Sequence, residues 1–191
     1  GMAGSIAPMV MSDFGAEVIK VEPPGGDPFR HHPGAIQWNR GKKSVILDLK
    51  TAADREQVQR LAQRAGVIVE SFRPGGTKRL GIDYETLGSI RPELVYCSLT
   101  GFGPKGPYAR YKGYEGIVAA KVGRMMAFSG QNRMEGPNYA AVQVANHAAG
   151  MATVRVSSQP LSKWSTKDRS ASGLLLSSQS TTRLVVTTSQ P

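Results

Sequence analysis

The chain has 191 residues, a formal net charge of +10, 40% hydrophobic residues and a single cysteine. This length and composition are typical of one globular domain, since domains of roughly 100–200 residues bury enough surface to fold alone. No apolar run approaches the ~18–20 residues of a membrane helix, no signal-peptide pattern opens the sequence, and one cysteine excludes an internal disulfide framework. We therefore expect a cytoplasmic protein that does not span a membrane.

The positive charge raises the possibility of nucleic-acid binding, because clustered Lys and Arg attract phosphates. The basic residues are instead spread along the chain, without a helix-turn-helix, zinc or stacking-aromatic motif. A basic pocket for a phosphorylated small molecule is the favoured interpretation, with no nucleic-acid partner.

The first predicted elements are a helix and two strands. Residues 5–14 place apolar side chains at helical spacing and end at Gly15, a typical helix terminator. Residues 18–21 are rich in β-branched side chains and stop at the Pro/Gly run 23–26, which continues neither a helix nor a strand. Residues 44–49 form the second predicted strand.

The elements that follow complete an alternating pattern. Thr51 caps a predicted helix whose apolar face is Val58, Leu61 and Ala65 and which ends at Gly66. The pattern then predicts a strand at 67–70, a short helix at 84–90 and a strand at 94–99, the last of which holds Cys97 as a buried core residue. Strands alternating with helices predict an α/β fold with a mainly parallel sheet. No strand precedes the first helix, so we expect one strand position of the sheet to be vacant and the resulting edge to favour self-association.

The amino-acid composition of the sequence changes near Arg155. From residue 155 to 191, 15 of 37 residues are Ser or Thr, against 12 of 154 before it, and a segment so poor in apolar periodicity is predicted to be disordered. We therefore divide the chain into a folded part, residues 1–154, and a tail, residues 155–191.

Two possible cofactor motifs are weak. Residues 101–106 match G-x-G-x-x-G after a predicted strand, but Pro104 and Pro107 favour a loop where a dinucleotide site needs a helix. His31, His32 and His147 lack partners at metal-ligand spacing. We expect neither a nicotinamide cofactor nor a metal.

Five ordered segments carry a stronger signal. The sequence resembles the class III coenzyme A transferases, which include formyl-CoA and carnitine-CoA transferases and a racemase branch, at residues 14–23, 39–49, 70–75, 81–84 and 100–108. The resemblance extends over about residues 4–154 and implies a Rossmann-like large domain of that family's fold, incomplete in this chain.

The resemblance also implies a coenzyme A site, with CoA or acyl-CoA as substrate. The matching binding positions are Leu47, Asp48, Lys50, Ser71, Phe72, Arg73, Arg79, Lys112 and Tyr114. Arg and Lys suit the 3′-phosphate and diphosphate, and an aromatic side chain can pack on adenine or the pantetheine arm. Surface cations of a basic protein are the alternative for any one of them.

The family transfers CoA from an acyl-CoA to a carboxylic acid through an aspartate that attacks the thioester. In this sequence the matching position is Asn146, a neutral amide and a poor nucleophile. The racemase branch pairs that aspartate with a histidine in a Gly-His-Asp segment for proton abstraction. Gly113-Tyr114-Glu115 replaces that segment here, while Lys112, Tyr114 and Glu115 keep the transferase pattern. Asn146 and Glu115 are therefore the candidate catalytic positions of a chain that we expect to be impaired.

The resemblance leaves open how the tail arose and what the chain does. Residues 156–161 can be encoded by a DNA sequence that, when it is read in a neighbouring frame, encodes Ile-Leu-Ala-Ala-Ala. That peptide is similar to the family at this point. Two origins of the tail are therefore considered, a frameshift and a natural disordered segment. Full-length family members form interlocked homodimers. The alternatives to a transferase are a non-catalytic acyl-CoA-binding module, a pseudoenzyme, or one half of a tandem transferase.

Overall fold

The computed structural model describes residues 2–130, 135–140, 142–157 and 183–187. Its helices are α1 (Met2–Asp13), α2 (Ala35–Asn39), α3 (Ala52–Arg64), α4 (Gly76–Leu80), α5 (Tyr84–Ile90), α6 (Glu115–Lys121), α7 (Arg124–Ala127) and α8 (Val144–Ser157), with a 3-10 helix at Pro28–His31. Its strands are β1 (Glu17–Glu22), β2 (Lys42–Ile46), β3 (Val67–Glu70), β4 (Val95–Ser98) and β5 (Arg183–Thr187). Among these helices, none has the length and apolar character needed to cross a bilayer.

The five strands form one sheet in the order β2-β1-β5-β3-β4, and every described pair is parallel. The parallel α/β arrangement predicted from the alternating pattern is therefore confirmed. Strand β3 and helix α5 have the predicted bounds, and Thr51 caps α3 by accepting a hydrogen bond from Asp54 N at 3.2 Å. The second strand is shorter than predicted and ends at Ile46 because residues 47–50 turn away toward α3.

Both faces of the sheet are covered. One face packs Val21 and Ile68 against α3 and α5 through Val58 and Leu87. The other face packs a smaller cluster against α1, consisting of Val18, Val67, Val69 and Cys97 with Met11 at its side. Cys97 is buried there as predicted. Burial on both faces explains why the strands read as apolar runs.

Strand β5 lies inside the sheet and pairs with a strand on each side. Arg183–Thr187 lies between β1 and β3, with Val185 opposite Ile19 on one side and Ile68 on the other. No strand was predicted in this part of the chain, so β5 is an addition to the predicted fold. Residues 155–157 of the predicted disordered tail belong to α8, which continues past the predicted boundary. Residues 158–182 and 188–191 of that tail lie outside the described residues.

A proline in β5 tests whether this strand is part of the fold in solution. Val185→Pro removes a backbone N–H from the centre of the sheet, which a central strand does not tolerate. We expect a loss of about 1–3 kcal/mol, the usual cost of an unmade buried hydrogen bond, seen as a fall of about 2–12 °C in the melting temperature. The control is Val185→Ile, which keeps the N–H and the β-branch. Equal melting temperatures for the two variants would exclude β5 from the folded sheet.

Candidate active site

A first cavity of about 300 Å³ lies at the carboxyl ends of β1 and β2 and beside α4. Six of the predicted binding residues line it: Leu47, Asp48, Lys50, Phe72, Arg73 and Arg79. Within the described part of the chain, the cations of this set are exposed and form no ion pair with a carboxylate. The cavity therefore offers three cationic side chains against the lining carboxylate of Asp48, with no described ion pair between them.

A second cavity of about 620 Å³ lies between the loops after β3 and β4 and the start of α8. It is lined by the remaining predicted residues, Ser71, Lys112, Tyr114, Glu115 and Asn146. Phe72 and Arg73 line both cavities, so the two adjoin at this pair. All eleven predicted site residues thus line one or the other of these two adjacent cavities, which together form the candidate cleft.

Side chains of α3 hold the loop of residues 47–50 in the first cavity. Asp54 accepts a hydrogen bond from Asp48 N at 2.7 Å, and Asp48 Oδ1 in turn accepts one from Lys50 N at 3.0 Å. The Arg55 guanidinium donates to the carbonyls of Leu49 and Lys50 at 3.2 and 2.8 Å. These contacts fix the backbone and leave the Lys50 side chain exposed to solvent.

The turn after β3 is built on a buried carboxylate. Glu70 is 3% exposed and its Oε2 accepts a hydrogen bond from Phe72 N at 2.7 Å. Burial raises the pKa of Glu70, while hydrogen bonds from Ser98 and Phe72 oppose that shift. The turn packs most of the Phe72 ring into the core. Several exposed aromatic rings line the second cavity, and among them that of Tyr114 has Lys112 Nζ 5.7 Å from its centroid.

The loop after β4 crosses the segment before α6 at two glycines. A Cβ atom at Gly101 would lie 2.3 Å from the Cα of Gly113, a distance that no side chain tolerates. Gly101 therefore allows two backbones to touch, which brings Lys112, Tyr114 and Glu115 to the sheet edge. Residues 99–114 form a loop without helix, as the two prolines predicted.

Glu115 holds the first turn of α8. Its side chain is buried, and its carboxylate accepts hydrogen bonds from Ala145 N at 2.8 Å and Asn146 N at 2.9 Å. These N–H groups have no partner inside the helix, so a carboxylate at this end is favourable. Arg124 Nη1 lies 3.7 Å from the same carboxylate. Glu115 thus positions residue 146 through the backbone.

The Asn146 side chain is also bound to Glu115. Its Nδ2 donates to Glu115 Oε2 at 3.0 Å and to Gln143 Oε1 at 2.9 Å. Sequence reasoning did not identify Gln143 or Arg124. Gln143 stands three residues before Asn146, a spacing at which side chains meet at a helix start, whereas no local pattern connects Arg124 to the site.

The described residues limit the chemistry of this end of the cleft. They hold a neutral amide against a fully hydrogen-bonded carboxylate, and they contain no group of three or more His, Cys, Asp or Glu side chains placed to hold a metal ion. The neutral Asn146 side chain, which donates both its described hydrogen bonds, offers neither a base nor an anionic nucleophile here.

Comparison with known proteins identifies relatives. The family model for CoA-transferase family III matches residues 1–157. The succinate–glutarate CoA-transferase of Agrobacterium fabrum is 39% identical over 169 residues, covering 80% of this chain and 42% of that protein. The acetyl-CoA:oxalate CoA-transferase of Acetobacter aceti is 42% identical over 133 residues, covering 65% and 34%.

The comparison with solved structures agrees with the comparison of sequences. The crystal structure of Rv3272 from Mycobacterium tuberculosis has a TM-score of 0.73 at 38% identity, covering 80% of this chain and 43% of that one. A CAIB/BAIF family protein from Brucella suis gives a TM-score of 0.70 at 37% identity, covering 79% and 43%. The chain thus spans about two fifths of the length of these proteins.

Removing the Glu115 carboxylate tests its role at α8. Glu115→Ala leaves two backbone N–H groups and the Arg124 guanidinium without this acceptor, so we expect a loss of about 1–3 kcal/mol in the free energy of unfolding. Urea unfolding measures the change, and Glu135→Ala, at an exposed position, is the matched control with an effect within about 0.5 kcal/mol. Equal stability of the two variants would contradict the capping role.

Proposed function

Because the chain belongs to CoA-transferase family III, we propose that its cleft binds coenzyme A and acyl-CoA thioesters. The nucleotide end lies in the first cavity and the thioester end in the second. The observation that supports this most directly is the junction at Phe72 and Arg73, which line both cavities. An elongated ligand that is anionic at one end and acylated at the other suits such a cleft.

The unpaired cations of the first cavity suit the phosphates of CoA. Arg73 and Arg79 each present a planar fork of donors that matches phosphate oxygens, and Lys50 supplies a further point charge at the rim. The exposed ring of Tyr114 offers a flat apolar surface in the second cavity. Phosphate recognition and pantetheine packing are thereby assigned to opposite ends of the cleft.

We propose that Asn146 occupies the position of the family's nucleophilic aspartate and that this chain therefore binds acyl-CoA without transferring it. A carboxylate attacks a thioester because it is anionic at neutral pH, whereas the amide nitrogen of Asn146 is neutral and donates both its described hydrogen bonds. Glu115 does not replace the nucleophile, because its two oxygens accept bonds from the α8 backbone.

Transfer of CoA between an acyl-CoA and a carboxylic acid is the second candidate function. It is favoured by the names of the relatives, which include succinate–glutarate and acetyl-CoA:oxalate transferases. Transfer requires residues that lie outside the two fifths of those proteins that this chain matches. A tandem or longer protein would supply such residues. The interlocked homodimer remains a prediction from the resemblance, and the cytoplasmic location remains a prediction from the sequence composition.

Calorimetry with CoA and dephospho-CoA tests the first cavity. We expect CoA to bind about tenfold or more tightly than dephospho-CoA, because one charge-assisted contact to the 3′-phosphate is worth about 1.5–3 kcal/mol. Arg79→Ala should reduce this difference. The control is Arg60→Ala on the exposed face of α3, where the guanidinium pairs with Glu56. Equal affinity of the folded chain for both ligands, or no binding, would contradict the assignment.

Substitution of the amide tests the second cavity. Asn146→Asp alone should give no multiple turnover, because a carboxylate in place of Nδ2 would face Glu115 Oε2 and Gln143 Oε1, two acceptors within about 3 Å. Like charges at that distance force one group to take up a proton or the side chain to turn away. The measurement is CoA transfer from acetyl-CoA to oxalate and from succinyl-CoA to glutarate, with peptide mapping of residue 146.

The matched variant combines Asn146→Asp with Glu115→Gln, which removes the repelling charge. We expect this double variant to form a CoA or acyl adduct at residue 146 that hydroxylamine cleaves, since such an aspartyl thioester or anhydride is labile. Multiple turnover by the single Asn146→Asp variant would overturn the account of the carboxylate pair. An adduct on Asn146 of the unaltered chain would overturn the proposal of binding without transfer.

A further inference from the structure

Four exposed aromatic side chains line the second cavity: Phe29, Tyr111, Tyr114 and Tyr139. They come from separate parts of the chain, namely the 3-10 helix, the loop after β4, the residue before α6 and the segment before α8. Exposed apolar surface that is concentrated in a concave site is typical of a ligand-binding groove. Of these rings, Tyr114 alone has a role in the proposed function.

Buried charges fix the position of Phe29. Its backbone N–H donates to Asp27 Oδ1 at 2.9 Å, which caps the 3-10 helix. Asp27 is itself buried, and its other oxygen accepts a hydrogen bond from Lys20 Nζ at 2.6 Å. Because a buried carboxylate is costly unless it is paired, this contact holds the start of the 3-10 helix in place.

A second contact closes the loop that carries Phe29. The Arg30 guanidinium donates to both oxygens of the buried Glu22 carboxylate, each at 2.6 Å, and Asp27 N donates to Glu22 Oε2 at 3.0 Å. Paired charge-assisted bonds of this kind fix geometry as well as charge. Strand β1 thus anchors the 3-10 helix on both sides of Phe29, while the Phe29 ring stays exposed at the cavity.

Tyr111 is held by a cluster of rings. Its centroid lies 5.3 Å from that of Tyr108 and 6.1 Å from that of Phe102. Lys121 Nζ, in the last turn of α6, lies 4.4 Å from the Tyr108 centroid and 5.7 Å from that of Tyr111. Ring pairs and cations over rings at these distances are favourable contacts. They tie the loop after β4 to α6 and hold Tyr111 at the cavity.

The charged side chains of the second cavity offer little to a carboxylate on the acyl group. Its described charged lining residues are Arg73, Lys112 and Glu115. Arg73 lies at the junction with the first cavity, and the Glu115 carboxylate is taken up by the α8 backbone. Lys112 is exposed, and an ion pair at such a position contributes little. The rings are therefore the main contacts available to an acyl group.

We propose that the second cavity selects an acyl group that is bulky, apolar and uncharged, such as an aryl-substituted acyl group, and that Phe29 determines this preference. At about 620 Å³ the cavity has about twice the volume of the first, so an acetyl group occupies little of it. An aromatic acyl group can pack on the lining rings and removes apolar surface from water. The inference rests on the proposed function for the CoA part of the ligand.

Calorimetry with three thioesters tests the inference, because phenylacetyl-CoA, acetyl-CoA and succinyl-CoA differ only in the acyl group. We expect phenylacetyl-CoA to bind about tenfold or more tightly than acetyl-CoA, since its ring is removed from water. Succinyl-CoA should bind no more tightly than acetyl-CoA, because its second carboxylate loses water without a buried cation. Equal affinity for all three thioesters, or succinyl-CoA binding as tightly as phenylacetyl-CoA, would overturn the inference.

Phe29→Ala tests the ring itself and changes only an exposed side chain. We expect it to reduce the preference for phenylacetyl-CoA over acetyl-CoA at least about threefold, while the affinity for free CoA stays within about twofold. The control is Phe14→Ala, which removes an exposed ring that lines neither cavity and should leave the preference unchanged. An unchanged preference in Phe29→Ala would contradict the role of this ring.

Arg30 lines neither cavity, so its variants test whether the buried contacts position the ring. Arg30→Ala should lower the preference in the same direction as Phe29→Ala, and Arg30→Lys, which keeps a charged bond to Glu22, should restore part of it. The matched control is Arg40→Ala, whose guanidinium pairs with both oxygens of Asp13. A loss of affinity that is equal for free CoA and all thioesters, or equal effects of Arg30→Ala and Arg40→Ala, would contradict the positioning role.

Failure of the inference is distinguishable from failure of the proposed function. If free CoA binds and the three thioesters bind with equal affinity, the acyl preference is wrong and the cleft assignment stands. If neither free CoA nor any thioester binds to the folded chain, the proposed function is wrong and the acyl preference is wrong with it.

Discussion

Three buried carboxylates hold the loops from which the cleft is made. Glu22 accepts a hydrogen bond from Asp27 N, Glu70 from Phe72 N, and Glu115 from Ala145 N and Asn146 N. A buried charge is costly unless hydrogen bonds satisfy it, so each acid forces a backbone segment to fold over it. Burial raises the pKa of Glu22, but the bonds from Arg30 and Asp27 and the charge of Lys20 more than offset this and hold that pKa below its usual range.

The same arrangement explains why one amide changes the chemistry of the site. Glu115 serves both as the cap of α8 and as an acceptor for the Asn146 side chain, so residue 146 is fixed by its backbone and by its side chain together. An asparagine fits this environment without repulsion, because it donates where the neighbours accept. An aspartate at this position would place a carboxylate oxygen about 3 Å from Glu115 Oε2, where the asparagine donates a hydrogen bond.

Local patterns predicted the sheet and its helices, while contacts between distant residues remained unpredicted. The bounds of β3 and α5 follow from β-branched runs and an N-cap, both of which are read within a few residues. Strand β5 was missed because five strand residues lie in a Ser/Thr-rich setting and pair with segments more than 100 residues away. The resemblance named the eleven positions of the cleft. It gave no indication that Glu115 caps α8, because that contact depends on three-dimensional packing.

The central claim is that one CoA molecule spans two cavities joined at Phe72 and Arg73. Hydrogen exchange of the backbone amides with and without saturating CoA measures this directly. The account predicts slower exchange in residues 47–50 of the first cavity and in residues 112–115 of the second, with no change on the exposed face of α3. Protection confined to one of the two segments, in a chain that calorimetry shows to be saturated, would contradict a ligand that bridges them.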